Sequence, residues 1–133
     1  MKEKKLFSAI ECYHSSSLDA GTLVIEGKLV KGVKMEDAEK AVEAELEKMK
    51  TEKVAATELQ KVKNKVESLI AFEDMSLTNR ANSLAFYELL GDAEQMNHEL
   101  EKYNVVTTED ILKESQVIFR PENSNTLYYY SKS

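Results

Sequence analysis

MEDAEKAVEAELEKM, residues 35–49, decides the class of fold. Met35, Ala38, Val42, Leu46 and Met49 recur every three or four residues, the stripe of a helix with one apolar face. Glu36 and Asp37 fall in its first turn, where carboxylates favour the positive end of the helix dipole. The Glu and Lys residues between the stripe positions form its wet face. Upstream the period is different. Residues 6–14, LFSAIECYH, are a dense apolar run too short for a buried helix and rich in Phe, Ile and Tyr, which predicts a strand. Ser15, Ser16, Ser17, Asp19 and Gly21 make a turn. Residues 22–28, TLVIEGK, predict a second strand that closes at Gly27 or runs on to Val30 before Gly32. A connection this short predicts an antiparallel hairpin.

Downstream the helical period persists. Leu59, Val62, Val66, Leu69 and Ile70 stripe a second helix, with Thr57-x-x-Gln60 as its candidate capping box. Asp74–Ser76 breaks or bends it. Leu77, Ala81, Leu84, Ala85, Tyr87, Leu89 and Leu90 follow, an apolar set wide enough to predict a largely buried helix, stopped by Gly91. Asp92 caps a short helix carrying Ala93, Met96, Leu100 and Tyr103. Thr107-x-x-Asp110 opens a last helix with Ile111, Leu112, Ser115 and Ile118 inward. Arg120-Pro121 ends it, because a residue before proline avoids the α region. Residues 126–130, TLYYY, predict a closing strand. Strands and helices that segregate in this way predict an α+β two-layer sandwich, with helices packed on one face of a mostly antiparallel sheet. Three strands make a small sheet for so much helix. The expectation is therefore one domain over residues 1–133, itself part of a larger unit.

Composition narrows the function classes. One proline and four glycines in 133 residues are too few for a loop-rich or all-β chain. A net charge of −6, from 24 acidic and 18 basic residues, disfavours nucleic-acid binding, which needs clustered Lys and Arg. Arg80 and Arg120 are the only arginines, and the group Lys2, Lys4, Lys5 is short and interrupted by Glu3. No apolar run approaches the ~20 residues of a membrane-spanning helix. A lone cysteine, Cys12, forms no internal disulfide and suits a reducing compartment without requiring one. Cytoplasm and cell envelope both stay open.

Catalytic constellations are sparse. A zincin needs two histidines one helical turn apart. His14 and His98 are distant in sequence, and the position one turn beyond His98-Glu99 is Lys102. The reading is that no residue ligates a metal and none is catalytic. Cys12 alternates in phase with Leu6, Ser8 and Ile10, which predicts a small buried hydrophobe. A Cys12–His14 pair could share a strand face, but no third group orients such a base. Ser15-Ser16-Ser17 lacks a nucleophile elbow. Glu73-Asp74 and Glu109-Asp110 are helix neighbours that point apart. At most two of Tyr128, Tyr129 and Tyr130 fall on one face of a strand, which suits packing better than a stacking platform.

Several strings together resemble pitrilysin/insulinase-family zinc metallopeptidases, in their later, non-catalytic C-terminal part. They are Glu3-Lys4-Lys5-Leu6-Phe7-Ser8-Ala9-Ile10; Asp19-Ala20-Gly21 with the second strand and Gly32; Val54-x-x-x-Glu58-Leu59-x-x-Val62-Lys63; Leu84; Gly91; Val106-Thr107-x-Glu109-Asp110-Ile111; and the closing strand. The resemblance implies a clamshell of homologous α+β domains, each with a six-stranded sheet. One domain holds zinc through an inverted His-x-x-Glu-His helix and a distal Glu, and its partner encloses the peptide. The zinc polarises the scissile carbonyl and activates water. No His-x-x-Glu-His occurs here, so neither ligands nor general base carry over. The partner domain's substrate-contacting Arg and Tyr align with Met1 and Ser8, so that pair is not carried over and the substrate-binding residues stay unknown. The resemblance thus implies a chain with no activity or cofactor of its own, working beside a zinc-bearing homologous domain or subunit on a peptide substrate, its parent a zinc-dependent metalloendopeptidase. A thin sheet further predicts an exposed edge and, through it, homo-oligomers. Two other classes stand beside this reading: a free-standing protein-interaction module with no peptidase role, and a small metal-independent enzyme built on Cys12 and His14.

Overall fold

The computed structural model describes residues 6–15 and 20–130. The described residues form β1 (Phe7–Ser15), β2 (Thr22–Leu29), α1 (Met35–Thr51), α2 (Ala56–Glu73), α3 (Leu77–Leu89), a 3-10 turn (Ala93–His98), α4 (Glu99–Asn104), α5 (Thr108–Ile118) and a second 3-10 turn (Pro121–Asn123). The class is α+β, as the change of period at Met35 predicts. The chain divides into two compact units, Met1–Glu47 with Ser124–Ser133, and Lys48–Asn123.

In the first unit β1 and β2 pair antiparallel, and among the described residues they are the whole sheet. Register follows from side-chain alternation. Ile10 lies opposite Gly27, Cys12 opposite Ile25 and His14 opposite Leu23, so one face collects Ile10, Cys12, His14, Leu23 and Ile25. The other face collects Ala9, Glu11, Tyr13, Val24, Glu26 and Lys28. A β-bulge between Phe7 and Ala9 shifts the phase. Ser8 is the extra residue, and its hydroxyl donates to the Lys28 carbonyl at 3.0 Å. Phe7, rather than Ser8, therefore joins the apolar face. Its ring lies across Gly27, where an added Cβ would stand 2.7 Å from Phe7 Cε1. Glycine is required there by close approach.

The predicted closing strand is not formed. Residues 124–130 are irregular, and Thr126–Tyr130 add no ladder to the sheet. A side-chain bond holds this segment instead: the Tyr128 hydroxyl donates to the Glu39 carboxylate on α1. Leu127 and Tyr129 are 91% and 86% exposed. A strand here would have had to present alternate residues to a sheet, and among the described residues no sheet edge receives it. Among the described residues of this unit Ala38, on the apolar stripe of α1, is the buried one.

In the second unit helix limits follow local chemistry. Thr107 caps α5 with a full capping box: its hydroxyl accepts from the Asp110 N–H at 3.2 Å, and the Asp110 carboxylate accepts from the Thr107 N–H at 2.8 Å. Ser76 caps α3, accepting from Asn79 N–H, and Asp92 caps the 3-10 turn, accepting from Glu94 N–H. Gly91 ends α3 at φ +102°, a conformation that favours glycine. The predicted Thr57–Gln60 box does not form. The helix starts two residues earlier, with Ala55 as N-cap and no side-chain cap, and Gln60 donates to Asn64 at 2.8 Å.

Long-range polar contacts tie the unit together. Gln116 donates to the Lys50 carbonyl at 2.9 Å, Lys63 donates to the Asn104 carbonyl at 2.7 Å, and Lys53 pairs with Glu109. Burial contributes little. Ser115 is the buried residue here, with Ile111 and Leu112 half-buried and Ile118 exposed rather than inward. Helix α3 has no buried residue: Leu77 is 82% and Leu89 72% exposed, and Ser83 and Tyr87 are half-buried. Its apolar girdle is wider than its neighbours can cover.

Two measurements test these local devices. Thr107→Ala should lower unfolding free energy by about 1 kcal/mol, read from urea titration, because it removes an N-cap acceptor. Hydrogen bonds from Thr107 hold the Asp110 carboxyl below its ordinary value. A carboxyl depressed by folding stabilises fully above its unfolded pKa, and loses that contribution as pH falls through the folded one. The Thr107→Ala difference should therefore shrink in acid, below about pH 4. For Tyr128 the sign reverses. Its hydrogen bond to Glu39 raises the hydroxyl to about 12. The contribution is complete below the unfolded value near about pH 10 and disappears as pH rises through about 12. Ultraviolet titration should show a late step near about pH 12 from Tyr128 among the six tyrosines. Glu39→Gln should bring that step back towards the others.

Candidate functional site

The features with chemical potential lie mostly on the hairpin. Cys12 and His14 occupy one face of β1, as i and i+2 must. Among the described residues no hydrogen bond joins them and none supplies a third, orienting group. The His14 imidazole lies over Gly21 instead, with Nε2 2.9 Å from where a Cβ would stand. Cys12 is exposed, not buried. The phase argument placed it correctly on the apolar face, but that face is uncovered: Ile10 and Leu23 are 48% and 41% exposed. Exposure alone does not activate a thiol, which needs a neighbouring cation or base.

His98 belongs to the other unit. It is exposed at the end of the 3-10 turn, with Nδ1 3.2 Å from a Glu101 carboxylate oxygen. Among the described residues no three His, Cys, Asp or Glu side chains converge where a metal ion could sit. A catalytic zinc needs three protein ligands and an open position, so the side chains described here do not fit one. Met1, Ser16 and Ser17 lie outside the described residues. Ser8 occupies the bulge, and its hydroxyl is turned to a backbone carbonyl.

The paired carboxylates serve structure. Glu109 is held below its ordinary range by the hydrogen bond and charge of Lys53, whereas its neighbour Asp110 answers to Thr107. Glu73 and Asp74 close α2, where the Asp74 N–H donates to the Ile70 carbonyl. Arg120 turns its Nε to the Val117 carbonyl at 3.0 Å, at the free carbonyl end of α5. Lys102 lies 5.8 Å from the centroid of the Tyr87 ring. Burial, then a hydrogen bond with Glu99, raises the Tyr87 hydroxyl above its ordinary value. None of these groups forms an acid–base pair aimed at a common atom.

The tyrosine cluster is split. Tyr128 is spent on Glu39, while Tyr129 and Tyr130 bound an open concavity of about 660 Å³ beside the β2–α1 turn, with Val30, Val33 and Met35. Sequence reasoning missed Glu39 because its spacing marks the wet face of α1. It missed Phe7 because a bulge is a register effect, and no single-strand periodicity reveals one.

What remains is apolar surface in want of cover. In the second unit Val62, Leu69, Phe72, Met75, Leu77 and Leu89 are all more than half exposed. No helix among the described residues is long and apolar enough to cross a membrane.

No protein-family model matches the chain, and no curated protein does. Solved structures do match. A protein from Bordetella pertussis Tohama I, assigned as a zinc protease, superposes with a TM-score of 0.82 at 16% identity, over 96% of this chain and 71% of that one. The inactive peptidase domain of a protein from Bordetella parapertussis, likewise assigned as a zinc protease, gives 0.75 at 17% identity, over 85% of this chain. A protease from Helicobacter pylori gives 0.71 at 21% identity, over 84% of this chain and 27% of that one. The chain spans 60% of the length of the Bordetella parapertussis domain. At these identities the likeness is one of fold. It places the chain's α+β architecture with that of zinc-protease domains, as the resemblance in its sequence implies.

Proposed function

We propose that this chain is a non-catalytic domain of a zinc metallopeptidase, forming part of the wall of the chamber that encloses a peptide substrate. The observation that carries the reading is a conjunction. The fold is that of solved zinc-protease domains, one of which is an inactive peptidase domain, while the described side chains assemble neither a metal site nor an acid–base pair. Hydrolysis then belongs to a zinc-bearing homologous domain or subunit, and this chain contributes surface. Its uncovered helical faces supply the contact area that such a partner needs. Enclosure matters to the chemistry next door because excluding water and holding an extended peptide both favour reaction.

The second reading, a free-standing interaction module, draws on the same exposed apolar residues and omits the peptidase. One experiment separates them. The purified chain is assayed for zinc by mass spectrometry and for cleavage of a fluorogenic casein. It is then used to recover partners from its own cells. The expected result is no stoichiometric zinc, no cleavage, and recovery of a polypeptide carrying His-x-x-Glu-His. Partners without that motif would replace the peptidase reading with the interaction module. Tight stoichiometric zinc, or cleavage by the chain alone, would overturn both.

A further inference from the structure

We draw no further inference here: the strongest candidate, the concavity of about 660 Å³ that the β2–α1 turn forms with Tyr129 and Tyr130 under a rim of Lys28, Lys31 and Lys34, has nothing in the structure to show what covers it, because the chain spans only part of the solved domains that share its fold.

Discussion

Backbone hydrogen bonding within helices and across one hairpin holds this structure, and side-chain burial adds little to it. The described residues include five helices and a two-stranded ladder, yet only Ala38 and Ser115 are buried. Hydrogen bonds exchange protein partners for water and contribute modestly in net terms, whereas apolar burial is the dominant favourable term of folding. Helix propensity and capping set where α3 starts and stops. They do not supply the contacts that would make its apolar girdle favourable. Any partner that bound and covered these faces would add to its stability.

That constraint connects the architecture to the functional reading. The solved structures that share this α+β fold include an inactive peptidase domain, which is where the proposed function starts. Under that proposal the exposed apolar faces would serve as contact surfaces. The chemistry-bearing side chains agree with a structural part. Glu109 is matched to Lys53, Asp110 to Thr107, Tyr128 to Glu39 and His98 to Glu101. Each pairing fixes a segment, and none aims two titratable groups at a shared atom.

The hairpin shows how small register effects redirect a reading. One extra residue at Ser8 exchanges Ser8 for Phe7 on the apolar face. The exchange gives Gly27 a reason to be glycine, since the ring of Phe7 occupies the space a side chain would need. It also leaves residues 9–15 as an uninterrupted run paired with β2.

The amino-acid sequence by itself determined the local structure. The change of period at Met35, the caps at Asp92 and Thr107 and the stop at Gly91 are all read from residues within a few positions of one another. Such features depend on short-range sterics and hydrogen bonds, so residues a few positions apart can specify them. The absence of a zinc motif was equally legible, because ligands one helical turn apart must be close in sequence. Tertiary structure alone decided what depends on distant residues: whether residues 126–130 find a sheet to join, whether Cys12 and α3 are covered, and where the Tyr128 hydroxyl goes. Periodicity reports which face of an element is apolar. It carries no information on what, if anything, lies against that face, because cover comes from residues far along the chain or from another chain altogether.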